Sequence, residues 1–318
     1  MSTVDRRPLP AFTWFLIGAA GAVAGLLPWL VTGARLPLQN LAADQSTTDT
    51  PIALLPFSQY FLVTIVALLV VGAAAAGIAA RALAGRRPRF GNTLLVTGML
   101  VVQLAATVQA SVVTVQLLER STRTLIYAGA VVAVIVVSLA VSILVLLLIA
   151  RAPVPGATIG LSLAALVSAS WIGAALRDIM LFGSNDVVQV LSFILRWLPP
   201  VLAGCAIAWC GFRSAGRVAA VIVSLAALWI GPAFFTAVSS AAGTRVLAPY
   251  PAEMAEYGIQ VFFMALTMPE LTVPSIIVAV VVGVAGSLLL AVVRRRRSDD
   301  EPGAEVDDVA DRDAVPSP

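Results

Sequence analysis

Histidine and lysine are absent from the sequence, so arginine supplies nearly all of its positive charge. These absences exclude general-base catalysis and metal ligation by histidine, a Schiff-base lysine and the lysine of a nucleotide-binding P-loop. A role driven by ATP would therefore need a separate ATPase subunit. We predict no cofactor, no metal site and no catalytic residue, and nucleic acid is not expected as a partner.

The sequence has only two cysteines, and its apolar runs have no acidic residue near their centres. Cys205 and Cys210 are five residues apart on one apolar helix, so they cannot face each other and are interpreted as small buried residues. No aspartate or glutamate lies in the middle of an apolar run. Carriers coupled to protons or ions usually need such a group, so classical coupled antiport is disfavoured.

Apolar residues make up 60% of the 318-residue chain, and its mean hydropathy is +0.98. Soluble domains contain about 45–50% apolar residues. Runs of about 20 apolar residues recur here, each long enough to cross roughly 30 Å of hydrocarbon. Because the runs are continuous rather than alternating, they favour helices over a β-barrel. The predicted fold class is an all-α polytopic membrane bundle.

Eight membrane-spanning helices are predicted. The first apolar run, residues 11–33, is longer than the apolar core of a cleaved signal peptide and is interpreted as a retained helix. The remaining helices cover residues 57–80, 92–118, 125–150 and 157–176, a sixth helix ending near Phe212, and residues 218–238 and 273–293. Residues 1–297 form one membrane domain. Residues 298–318 hold eight of the 17 acids and are predicted to be a disordered acidic cytoplasmic tail.

Two segments of the second half depart from this simple pattern. Helix six contains Pro199-Pro200, a pair that removes backbone hydrogen bonds and kinks a helix. We therefore expect helix six either to bend within the outer leaflet or to follow a surface helix that begins near Asp186. Residues 259–268 are apolar but too short to span, which indicates an interfacial or re-entrant segment before helix eight.

Arginine is distributed unequally between the two sides of this arrangement. One side receives Arg6, Arg7, Arg81, Arg86, Arg87, Arg89, Arg151, Arg213, Arg217 and Arg294 to Arg297, whereas the other receives Arg35, Arg120, Arg123, Arg177, Arg196 and Arg245. The positive-inside rule then places both termini in the cytoplasm, in what we interpret as a bacterial cytoplasmic membrane.

The two halves of the chain share a weak pattern. Trp29 precedes Arg35 by six residues, and Trp171 precedes Arg177 by the same spacing. One interpretation is a pair of parallel four-helix repeats, residues 1–151 and 152–297, as occurs in transporter folds. The other is coincidence, because tryptophan and arginine both favour membrane interfaces.

The predicted ligand site lies in the outer half of the bundle. Prolines near the outer ends of three helices each have a tryptophan close by, and interrupted helices free backbone carbonyls and open cavities. Helix three adds a polar stripe, and the stretch 171–200 adds charges. The predicted ligand-binding residues are Gln103, Thr107, Gln109, Ser111, Arg177, Asp178, Arg196, Trp197 and Trp229.

Each of these features has a structural alternative. The prolines and tryptophans also fit packing kinks and an ordinary aromatic belt, and hydrogen bonding between helices alone would explain the polar stripe. Arg196 lies about 15 Å deep, and needs a partner, if the crossing begins near Asp186. It lies at the interface if the crossing begins near Phe193. Arginine suits anionic headgroups, so an anionic lipid is an expected contact.

Three functions remain open on these grounds. The first is a transport-type component with an outward-facing cavity for a small amphiphile or lipid. The second is a non-catalytic scaffold or accessory subunit of cell-envelope machinery, with other membrane-protein subunits as partners. The third is an extracytoplasmic transferase for lipid-linked substrates, whose candidate carboxylates are Asp44, Asp49, Asp178, Asp186, Glu253 and Glu256.

Topology can be tested directly. Green fluorescent protein fused after Arg297 is expected to fluoresce in intact cells, because the arginine distribution places that residue in the cytoplasm. The same reporter fused after Arg120 is the control and is expected to be dark. A dark Arg297 fusion would contradict the predicted orientation.

Overall fold

The computed structural model describes residues 8–35, 51–117, 122–244 and 250–299. These residues form ten α-helices, with short 3-10 turns at Gln59–Phe61 and Ala84–Arg86, and no β-strand occurs within these ranges. The helices are α1 (Ala11–Val31), α2 (Leu62–Ala82), α3 (Gly91–Leu117), α4 (Thr122–Arg151), α5 (Val154–Ala175), α6 (Arg177–Phe182), α7 (Asn185–Cys210), α8 (Ala215–Gly243), α9 (Pro251–Leu266) and α10 (Pro269–Asp299).

Eight of these helices are long and apolar enough to cross a membrane, which confirms the predicted fold class. They are α1 to α5, α7, α8 and α10. Arg81, Arg86, Arg87, Arg89, Arg151, Arg213 and Arg217 lie at one end of the bundle, which we call the arginine-rich end. The other end is called the opposite end. Ser298 and Asp299, the first two residues of the predicted acidic tail, are the last residues of α10, and the rest of the tail lies outside the described residues.

The proline-containing helices are continuous, although the sequence predicts interruptions. Pro28, the Pro199-Pro200 pair and Pro232 all lie inside helices. A proline removes one backbone hydrogen bond, and neighbouring helices in a membrane can compensate for that loss. Helix α7 begins at Asn185, one residue from the predicted Asp186, and a separate short helix, α6, precedes it. The apolar segment predicted before helix eight belongs to α9.

Helix α2 occupies the centre of the fold. Within the described residues, 61% of its apolar window is buried, and it packs against α1, α4 and α5. Glycine permits this packing, because Gly25 of α1 and Gly72 of α2 place their backbones in contact. A Cβ atom added to Gly72 would lie 3.1 Å from the Cα of Gly25. Small residues at such crossings allow membrane helices to approach closely.

The crossing of α1 and α3 is closer still. A Cβ atom added to Gly18 would overlap the carbonyl oxygen of Leu95, and one added to Gly98 would overlap the carbonyl oxygen of Phe15. The two backbones therefore touch at a reciprocal pair of glycines. Trp14 and Met99 pack around the same crossing and are fully buried.

The two halves pair their helices in the same order. In the first half α1 packs against α2 and α3, and α2 packs against α4. In the second half α5 packs against α7 and α8, and α7 packs against α10. Two parallel four-helix repeats would produce this arrangement; the duplication itself stays a prediction.

Replacing Gly18 with alanine is expected to destabilise the bundle, because α1 and α3 must separate to admit the methyl group. Overpacking of this kind costs about 1–3 kcal/mol. The matched control is Gly129→Ala in α4, since a Cβ there meets nothing within 4 Å. Thermal unfolding of the purified protein in mild detergent should show a lower midpoint for Gly18→Ala alone. Equal midpoints would contradict the close crossing.

Candidate functional site

The opposite end of the first half is closed by residues 51–58. Ala53, Leu55 and Phe57 of this segment are completely buried. The indole Nε1 of Trp29 donates a hydrogen bond of 2.7 Å to the carbonyl oxygen of Ala53. The segment therefore enters the bundle and fills the space between the helix ends.

Gln109 holds this closing segment in place. Its Oε1 accepts a hydrogen bond from the backbone N–H of Leu54 at 2.8 Å, and its Nε2 donates to the carbonyl oxygen of Ile52 at 2.9 Å. The side-chain amide thus pairs with the main chain as a neighbouring strand would. The sequence predicts that Gln109 binds a ligand, but in the structure its side-chain amide binds the backbone of Ile52 and Leu54.

The rest of the α3 stripe makes bonds within and between helices. The Nε2 of Gln103 donates to the carbonyl oxygen of Leu69 in α2 at 2.9 Å, and Gln103 is 1% exposed. The hydroxyl of Thr107 donates to the carbonyl oxygen of Gln103, and that of Ser111 donates to the carbonyl oxygen of Thr107. The Gln103 bond matches the alternative interpretation of the stripe, hydrogen bonding between helices, whereas the Thr107 and Ser111 bonds lie within α3.

The predicted charges and tryptophans lie apart from this stripe. The Arg177 guanidinium carbon lies 5.1 Å from the centroid of the Phe61 ring, and Asp178 is exposed. Arg196 donates a 3.3 Å hydrogen bond to the carbonyl oxygen of Glu270 and stacks on the Trp197 ring at 5.5 Å.

Trp229 lies on α8, and its side chain binds the C-terminal end of α9. Its Nε1 donates to the carbonyl oxygen of Leu266 at 3.1 Å. The nine predicted ligand-binding residues therefore lie in separate places, and the three cavities described next are lined by other side chains.

The first cavity lies between α8 and α9 at the opposite end. It has a volume of about 380 Å³, and its walls include Phe234, Met254, Ile259, Phe262 and Phe263. The bond from Trp229 to Leu266 joins α8 to the C-terminal end of α9. Its lining is apolar, which suits an acyl chain or another hydrophobic group.

The second cavity is an apolar groove of about 400 Å³ between α2, α5 and α7. Alanine side chains line much of it, including Ala74 and Ala75 of α2 and Ala164 of α5. Such short side chains leave space along the surface that these packed helices share. Cys205 of α7 also lines the groove and is exposed, so the cavity opens toward the surrounding lipid.

The third cavity, which we call the arginine pocket, has a volume of about 400 Å³ and lies at the arginine-rich end. Gly211 ends α7 with a φ angle of +66°, a conformation that favours glycine, and its N–H donates to the carbonyl oxygen of Ile207. Ser214 then caps α8 by accepting from the N–H of Arg217. This tight turn places Arg213 and Arg217 on the pocket wall.

Trp209 is common to the apolar groove and the arginine pocket. The Arg81 guanidinium carbon lies 5.0 Å from the centroid of the Trp209 ring. Arg81 is itself fixed, since its Nη1 donates to the carbonyl oxygens of Ile149 and Ala152 at 2.8 and 2.9 Å. The apolar groove and the arginine pocket thus adjoin at the Trp209 ring, which the Arg81 guanidinium contacts.

From the sequence, Arg213 and Arg217 have a role only in membrane topology. The sequence also contains a signal for a site, because no acid between residues 51 and 298 falls in the segments predicted to join helices at the arginine-rich end; the six acids in that range are Glu119, Asp178, Asp186, Glu253, Glu256 and Glu270. The loops that join helices at the arginine-rich end therefore offer no carboxylate partner to their arginines. Within the described ranges, no group of three or more Cys, Asp or Glu side chains is placed to hold a metal ion.

Comparisons with protein-family models, with curated proteins and with solved structures gave no match to this chain. What the sequence and structure establish together is a multi-pass membrane protein that contacts the lipid bilayer.

Replacing Gln109 with methionine should loosen residues 51–58, because the backbone groups of Ile52 and Leu54 lose their partners. A typical hydrogen bond of this kind contributes about 0.5–1.5 kcal/mol to stability. We expect a lower thermal midpoint and faster proteolysis near Ile52. Gln116→Met is the control, since Gln116 is an exposed glutamine of the same helix. Equal behaviour of the two variants would mean that Gln109 does not anchor the segment.

Proposed function

We propose that this protein binds and moves a lipid or another small amphiphile, as a transport-type component of a bacterial cytoplasmic membrane. It has no ATPase of its own, and both termini lie in the cytoplasm. The observation on which this rests is the presence of two apolar cavities at different depths. One lies between α8 and α9 at the opposite end, and the other lies between α2, α5 and α7 toward the arginine-rich end.

A difference in burial between the helices of the two halves supports the proposal. Within the described residues, 33–61% of each apolar window is buried in the first half, compared with 11–50% in the second half. The second half is therefore the less buried of the two, and each cavity is bordered by at least one of its helices. A site that exchanges ligand with lipid needs such an accessible wall. On this model the α8–α9 cavity is the outward-facing site.

A scaffold or accessory subunit is the second candidate, and α6 is the observation that favours it. This helix and the first half of α7 are largely exposed, and Phe182 is 85% exposed. An exposed aromatic side chain at a bundle end suits a protein partner as well as lipid. Purification in mild detergent as a lone monomer would count against this alternative.

The amphiphile model predicts that filling the groove will exclude ligand. In Cys205→Phe, a large side chain replaces an exposed one on the groove wall without entering the packed core. Each methylene displaced from an apolar site costs about 0.8 kcal/mol, or about fourfold in occupancy. A photoreactive fatty acid should therefore label α2, α5 and α7 of the wild type at least severalfold more than those of the variant.

Ala285→Phe is the control, because Ala285 is exposed on α10 and lines none of the three cavities. The same proteins in vesicles should show movement of a fluorescent lipid between leaflets that is slower in Cys205→Phe only. Equal labelling and equal movement in all three proteins would refute the proposed function.

A further inference from the structure

Arginine side chains bind free carbonyls where the first half ends. Helix α4 stops at Arg151, so its last carbonyl oxygens have no partner within the helix. Arg81 donates to those of Ile149 and Ala152, and Arg87 donates to that of Ala150 at 2.8 Å. The positive charge of both arginines is thus placed against the negative end of a helix.

On α10, the helix of the second half that corresponds to α4, such free carbonyls are missing beside the pocket. There α7 packs against α10 as α2 packs against α4, and Arg213 and Arg217 follow α7. However, α10 continues as a helix to Asp299, well past its pocket-lining residues Ser287, Leu290 and Ala291. The carbonyls of these residues are bonded within the helix. An open cavity lies where the first half has helix-end carbonyls.

The two pocket arginines have no side-chain partner among the residues that the structure describes. Neither guanidinium makes a hydrogen bond or an ion pair there. The Nη1 of Arg217 lies 3.9 Å from where a Cβ of Gly211 would be, so the guanidinium lies beside the end of α7. The joining loops at this end contain no acid to serve as counter-ion.

We propose that the arginine pocket binds the phosphate of an anionic phospholipid headgroup. The planar forks of Arg213 and Arg217 match phosphate oxygens in pairs. The volume of about 400 Å³ accommodates a phosphate with its glycerol. Trp209 and Phe212 border the pocket, and aromatic rings of this kind prefer the headgroup level of a bilayer. The apolar groove beyond Trp209 lies at the depth of the acyl chains.

This inference names the ligand class of the proposed function and rests on it for the choice of lipid over a soluble ligand. The test titrates the purified full chain in detergent with three probes and follows binding by native mass spectrometry. The probes are phosphatidylglycerol, a diacylglycerol with the same acyl chains, and inorganic phosphate. Only the first combines a phosphate with acyl chains, so we expect it alone to bind tightly.

Two variants examine the arginines. Arg213→Gln/Arg217→Gln should weaken phosphatidylglycerol binding about tenfold or more, because two charge-assisted contacts are lost. Arg213→Lys/Arg217→Lys keeps the positive charge that the topology requires but loses the planar guanidinium group that binds two phosphate oxygens at once. We therefore expect this variant to bind phosphatidylglycerol with intermediate affinity. Arg89→Gln removes an exposed arginine at the same end and should bind as the wild type does. If the glutamine variant fails to fold, the lysine variant alone decides.

The outcomes separate this inference from the proposed function. Equal phosphatidylglycerol affinity in the wild type and both pocket variants would overturn the inference, as would equally tight binding of diacylglycerol. Inorganic phosphate that binds as tightly as phosphatidylglycerol would overturn the assignment to a lipid. In each case, groove labelling that remains sensitive to Cys205→Phe would leave the proposed function standing.

Discussion

Direct contact between helix backbones is the constraint on which this structure depends. Lipid chains are as apolar as leucine side chains, so helices in a membrane gain little from hydrophobic burial and associate through close packing and polar bonds. Here glycine provides the close packing, at Gly18 and Gly98 between α1 and α3 and at Gly25 and Gly72 between α1 and α2. The polar bonds follow from it, because helices this close bring side-chain donors within reach of neighbouring carbonyls. Trp171 of α5 reaches the carbonyl oxygen of Gly25 at 2.8 Å and so ties the second half to the first.

The apolar groove lies where alanine side chains face one another across neighbouring helices. Between α7 and α10 contact is still close, since a Cβ on Gly204 would lie 2.9 Å from the carbonyl oxygen of Ala279. Between α2, α5 and α7 the facing residues are largely alanine, and the helices remain far enough apart to leave about 400 Å³. In this part of the bundle glycine permits a close crossing of α7 and α10, whereas alanines line the open groove between α2, α5 and α7.

Sequence reasoning predicts the elements of this fold better than their partners. Eight apolar runs give the eight spanning helices, because length and hydropathy are properties of each segment alone. The partner of Gln109 lies 55 residues away in the chain, in a segment that shows no periodicity, and no local pattern identifies it. The prolines were expected to interrupt helices, yet the surrounding helices keep them continuous. The nine candidate site residues share polarity but not location, because their positions depend on tertiary packing.

The two sets of arginines show how the end of one helix decides the role of a side chain on another. Arg81 and Arg87 lie beside α4 where it ends, so carbonyl oxygens are available and the arginines complete the fold. Burial and the nearby charges of Arg151 and Arg81 lower the pKa of Arg87, which donates to the carbonyl oxygen of Ala150 and contacts the Trp14 ring. Arg213 and Arg217 line a pocket with α10 where that helix continues, so α10 offers them no free carbonyl there. A guanidinium at a membrane interface is most stable beside an anion, and the bilayer itself supplies phosphate at that depth. Continuation of α10 beyond the pocket therefore changes an arginine pair that would stabilise the fold into one that is available to a ligand.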